Sequence, residues 1–202
     1  MNRHERNQRS DRRKKFVVSI FFVFILVAST IGFVATFQQP TQDFSYNDHE
    51  FAQRNNQWVT EIETPFGEKE YAFYYHPAYF TIHVPLDVVQ TIKASPEIVL
   101  TFDPNVTEIQ YVDAARFQLH NYLTLDLGKN VQHAVMTNTT LYNFPVERCG
   151  VRNALYISFV EGNQSTITQE NNCITIQSFS AVDYIQYSES IIYRLLGVIE
   201  NE

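Results

Sequence analysis

The longest hydrophobic feature of the chain is an uncharged apolar run from Phe16 to Phe37, directly behind a basic leader. At 1.5 Å per residue such a run, wound as a helix, reaches about 33 Å, enough for a hydrocarbon core of roughly 30 Å. Ser19, Ser29, Thr30 and Thr36 fit within it because their short hydroxyls bond back to the helix backbone. A cleaved signal peptide would carry roughly 7–15 apolar residues and end in a small-x-small site. The run here is longer, and its end, Val34-Ala35-Thr36-Phe37-Gln38, is a poor cleavage sequence. The pattern therefore predicts a retained transmembrane helix over 16–37. Residues 38–49 turn polar around Pro40 and read as a short stalk, reaching at most about 40 Å when extended. From 50 to 202 the apolar positions recur with the periods of strands and helices, as expected of one ordinary domain.

Within that domain, Trp58, Thr60 and Ile62 alternate on one strand face and Tyr71, Phe73 and Tyr75 on another, with Thr64-Pro65-Phe66-Gly67 between them as turn chemistry. Residues 85–94, bounded by Pro85 and Pro96, carry Leu86, Val89 and Ile92 at helical spacing. Ile98 to Asp103 is apolar on both faces, as a central strand is. A helix over 106–126 is expected from the stripe Val112, Ala115, Leu119, Tyr122 and Leu123, with Asn105 and Glu108 as a capping box and Gly128 as its stop. Val131–Met136 predicts another strand. Ala154–Val160, Ser165–Gln169 and Cys173–Ser178 predict a three-stranded meander. A final helix, 181–199, starts at Ser180 and Asp183 and buries Ile185, Ile192, Leu195, Leu196 and Ile199. The expectation is an α+β or α/β fold: one N-terminal transmembrane helix, then a two-layer mixed-sheet domain with two main helices.

Charge orients the anchor. Residues 1–15 hold seven basic side chains against two acidic ones, while the rest of the chain holds eight against twenty, which accounts for the net charge of −7. Basic flanks stay in the cytoplasm, so the leader is expected inside and the 50–202 domain outside, in a single pass of the cell membrane. The acidic balance of that domain repels nucleic acid and anionic lipid as partners. The two cysteines, Cys149 and Cys173, both fall on the outer side, where an even pair forms a disulfide. In a meander they open at the same end of the sheet. Three sequons, at Asn105, Asn138 and Asn163, also lie outside. Ala28, Gly32 and Thr36 recur every four residues, a stripe on which two transmembrane helices could pack, with bland helix composition as the alternative.

Catalytic signatures are missing from the sequence. The six glycines are too dispersed for a phosphate-cradling loop, and no Gly-x-Ser-x-Gly elbow occurs. His49-Glu50 begins like a zinc-protease helix, but Gln53 stands where the second histidine belongs. Neither a cofactor nor a metal is implied; His76 with His83 near Asp87 is the one pairing worth testing for metal. The aromatics of 71–80 read chiefly as a sheet core, with Tyr74 and Tyr79 as candidate ligand contacts beside His76. Asp103, at the end of the central strand, stands where α/β folds place ligands, although helix capping is the commoner role there.

Several short stretches, Tyr46-Asn47 with Phe51, Asn56-Gln57-Trp58, Tyr75-His76-Pro77, Thr101-Phe102-Asp103-Pro104, Asn172-Cys173-Ile174 and Tyr193 to Ile199, resemble a group of archaeal single-pass membrane-anchored proteins with an α/β outside domain. That group has no assigned activity, so the resemblance implies topology and the cysteine pairing and nothing of the ligand. The expected function is an extracytoplasmic binding or assembly module of the cell envelope. An envelope hydrolase with a dispersed site and an accessory subunit of a membrane complex are the alternatives.

Overall fold

The computed structural model describes residues 20–27, 43–64, 67–80 and 82–200. The chain divides into two compact units, 1–42 and 43–202. In the first, residues 20–27 form helix α1, whose eight side chains are all apolar and all exposed. Among the described residues no helix is long and apolar enough to cross a membrane; the remainder of the predicted 16–37 span, with Ala28, Gly32 and Thr36, lies outside them.

The second unit opens with four antiparallel strands in chain order, β1 (Asp43–Tyr46), β2 (His49–Arg54), β3 (Gln57–Thr64) and β4 (Gly67–Phe73). Part of the expected stalk is therefore strand, and the second compact unit includes it from Asp43 onward. Two-residue turns at Asn47-Asp48 and Asn55-Asn56 close the first two hairpins, and all four residues have positive φ (45°, 65°, 51° and 61°). That is the type I′ requirement, which Asn and Asp meet at low steric cost, and it escaped a reading based on glycine and proline. Phe51, Trp58, Thr60, Ile62, Tyr71 and Phe73 share the buried face.

The second sheet contains β5 (Glu97–Phe102), β6 (Asn130–Val135), β7 (Leu155–Glu161), β8 (Thr166–Glu170) and β9 (Cys173–Ser178), in the order β6-β5-β7-β9-β8. All pairings are parallel except β8 with β9. The expected meander is corrected here. Strand β9 inserts between β7 and β8, because Ile174, Ile176 and Ser178 bury on it while β8 buries only Ile167 and suits an edge. Strands β7 and β9 do run the same way, so Cys149 and Cys173 meet as a disulfide with Cα atoms 5.9 Å apart.

The helices are α2 (Leu86–Ala94), α3 (Ile109–Asn121) and α4 (Asp183–Leu196). Helix α4 is buried from Tyr184 to Leu195 except at Gln186, because a sheet lies against each side of it. Tyr193 stacks on Phe73 of β4 at 4.0 Å, and Tyr184 meets Phe159 of β7 edge-on at 6.1 Å. The domain is thus a mixed α+β fold with two sheets around a central helix, not two layers. Helix α3 starts later than the expected capping box. Glu108 adopts a left-handed φ of 56° and caps nothing, since Glu161 already binds the Thr107 N–H and Asp103 already binds Asn105. The helix ends in a π-turn, Tyr122–Asp126, and stops at Gly128. The far face of the second sheet, formed by Val99, Ala134, Ala154 and Tyr156, packs with Cys149.

Candidate functional site

In the second sheet the chain leaves β5 for β6 on one side and reaches β7 and β9 on the other. Parallel sheets bind ligands outside the carboxyl ends of their strands at such a switch point, because neither neighbouring connection closes over it. A crevice of about 270 Å³ lies at that end, lined among others by Thr107, Glu108, Glu161, Ser178, Phe179 and Tyr184. Glu161 is placed by the last residue of β7 and fixed by the Thr107 backbone (3.0 Å) and hydroxyl (3.3 Å). Ser178 ends β9 and Tyr184 opens α4. Phe179 stands 74 % exposed at the rim. Tyr184 is 1 % exposed, yet its hydroxyl has no hydrogen-bond partner. Burial pushes its phenol up to about 12, and the carboxylates of Glu161, Asp103 and Asp183 add to the shift, so it is a neutral phenol at physiological pH.

Of the residues singled out from sequence, Asp103 belongs to this end of the sheet, but its Oδ1 accepts from the backbone and side-chain nitrogens of Asn105, both at 3.0 Å. His76 is corrected from candidate contact to core. It is 3 % exposed, enclosed by the rings of Phe44, Tyr46, Phe51, Trp58 and Tyr79, and its Nδ1 accepts from Ala78 N. Burial lowers its pKa. Its Nε2 has no hydrogen-bond partner, and no group of three His, Cys, Asp or Glu able to hold a metal appears among the described residues. Tyr79 is exposed on the short turn Pro77–Tyr79 beside Trp58. Tyr74 is exposed too, on a separate groove of about 400 Å³ between β4 and α3, with Phe117 and Leu125. The acceptor nitrogens Asn105, Asn138 and Asn163 all lie in exposed residues.

Two buried polar constellations were not anticipated. Glu189, fully buried in α4, accepts from Tyr74 N (2.6 Å), Tyr75 N (3.0 Å) and Gln118 Nε2 (3.0 Å). Elsewhere, Arg116 stacks 4.4 Å over Phe102 and donates to Asp113 and to His133 Nδ1, both at 2.6 Å, while Tyr142 donates to Asp113 and His120 stacks on His133. Burial pushes His133 down to about 4, aided by the Arg116 charge, so it stays neutral as an acceptor. A histidine with a lowered folded pKa contributes stability that is complete above its unfolded value near 6.5 and lost as pH falls toward 4. Relative to His133→Gln, which keeps an acceptor but does not titrate, the wild type should lose about 1–2 kcal/mol between pH 6.5 and 4. Urea titrations of both proteins across that range check this, and parallel curves would refute it.

Against known proteins, no family model matches the chain, and neither the curated proteins nor the solved structures give a significant match.

Proposed function

We propose that the chain is a membrane-anchored, outward-facing binding module of the cell envelope that takes a small ligand in the crevice at the carboxyl ends of β5, β7 and β9. The observation that carries the binding reading is Tyr184, which lines the crevice and whose hydroxyl is buried without a partner. A buried polar group left unpaired costs about 1–3 kcal/mol, a cost that a ligand able to pair with it removes. The anchor rests on the uncharged 16–37 run, on the exposed apolar surface of α1 and on the positive leader. The disulfide fits an oxidising compartment. Catalysis receives less support, because the perturbed groups are occupied: Glu189 by three donors and His133 by Arg116.

Protease added to intact cells should digest the 43–202 unit of the full-length protein, and resistance there would overturn the orientation. A thermal-shift panel of neutral, anionic and cationic small molecules should contain at least one hit whose shift disappears in Tyr184→Phe. A panel without such a hit would overturn the binding reading.

A further inference from the structure

Around the Tyr184 ring the charge is one-sided. Glu108 and Glu161 line the crevice, and Asp103 and Asp183 lie close enough to act on the phenol. None of these four carboxylates is in an ion pair among the described residues, and no Lys or Arg lines the crevice. An anionic ligand would enter against that field. A metal ion is also poorly served. The oxygens of Glu161 are taken by Thr107, Asp103 Oδ1 by Asn105, and Asp183 Oδ2 by Ser165 and Ser178. No group of three His, Cys, Asp or Glu converges among the described residues. Hard cations need several free oxygens at once. Carboxylates pinned in this way set a negative potential without offering a coordination shell.

What remains free is specific. The Tyr184 oxygen, 1 % exposed as a residue and unpartnered, can accept one N–H. The exposed Phe179 ring offers its negative face at the mouth. Ser178 is buried, donates inward to Ser180 O and accepts the Ser180 backbone N–H at 3.2 Å, so its hydroxyl is already engaged within its own turn. One unpartnered acceptor, a negative potential and an aromatic wall together suit a ligand that is positively charged and carries its own N–H donors. Resting on the reading of this crevice as the ligand site, we propose that it binds a primary amine, whose ammonium group donates to the Tyr184 oxygen and sits against Phe179 within the field of Glu108 and Glu161. About 270 Å³ accommodates an aliphatic amine of a few carbons.

The full-length chain in an uncharged detergent micelle is titrated with n-butylammonium chloride, n-butanol and methyl β-glucoside at pH 7.5, following amide chemical shifts. Butylammonium should shift the amides of Phe179 and Ser180 saturably with a Kd on the order of 1–10 mM, as suits so small a probe. Butanol should be at least about tenfold weaker. Tyr184→Phe, which keeps the ring in place, should weaken butylammonium about 5–10-fold, and Phe179→Ser about 3–5-fold. Butanol matching butylammonium, the glucoside binding in its place, or affinity unchanged in Tyr184→Phe would each overturn the amine assignment. A glucoside or butanol response that is lost in Tyr184→Phe would still keep the crevice as a ligand site. A crevice silent to all three, with no Tyr184-dependent hit in the wider panel, would remove both readings.

Discussion

Replacing Glu189 with alanine is expected to cost about 4 kcal/mol of unfolding free energy at pH 5 and only about 1 kcal/mol at pH 8. The large value arises because the carboxyl pairs two backbone N–H groups, Tyr74 and Tyr75, and the Gln118 amide, drawing the end of β4, helix α3 and helix α4 together. Alanine leaves those donors buried and unpaired and opens a void. The pH dependence follows from the native pKa. Burial pushes Glu189 up to about 7, although the three donors pull it back. For a carboxyl raised in the folded state, the native protein holds the proton more tightly than the unfolded chain. Its contribution is therefore complete below the unfolded value of about 4.5 and is lost as pH rises through 7, about 3 kcal/mol in all. Tyr75 and Tyr193, which face it, have raised pKa values and stay neutral throughout. His76, His120 and His133 have lowered pKa values and act in the opposite direction, losing stability on acidification. The decisive quantity is thus the difference between variant and wild type in urea denaturation, followed through Trp58, the only tryptophan. Glu189→Gln should show the same narrowing gap from pH 5 to pH 8 with a smaller offset. A gap that stays constant with pH would mean that Glu189 does not titrate in this window.

That residue also marks where the sequence stopped being informative. Ser188-Glu189-Ser190 interrupts the apolar stripe of the last helix, and periodicity, which assumes one buried side, gives no reason to bury it. In the fold the helix has a sheet on each side, so polar residues bury as well and must find partners. Tyr184 escapes the stripe for the same reason, standing one position before Ile185, its first apolar member. By contrast β5 was legible, since Ile98 to Phe102 is apolar at every position and only a doubly covered strand reads that way. Asp103 does follow the central strand, as its sequence position implies, while its turn-forming bond to Asn105 leaves no mark in the apolar pattern. Strand order was beyond reach. The alternation in 154–178 gives three strands but does not say that β9 slips between β7 and β8, because the loop 162–165 allows either neighbour.

The covalent link tests both the fold and the compartment. Joining Cys149 to Cys173 closes a loop with a sequence separation of 24, for which the chain-entropy estimate gives about 3.5 kcal/mol. The linked segment also packs on the far face of the second sheet, beside Ala154 and Tyr156. The double variant Cys149→Ser, Cys173→Ser should therefore unfold roughly 10 °C lower than the wild type, at about 2–4 °C per kcal/mol for a domain of this size. Native structure should nonetheless persist. Arg152 still ties Glu97 (2.9 Å), Gln132 (2.8 Å) and Glu147 (3.1 Å), and Tyr156 still donates to Glu147, so the far face keeps a polar clasp when the disulfide is gone. Reductant should lower the wild-type melting temperature to that of the double variant and leave the variant unmoved. If both thiols of protein taken directly from cells alkylate without reduction, and reductant leaves the wild-type melting temperature unchanged, the link does not form in the cell and the oxidising compartment inferred from it falls as well.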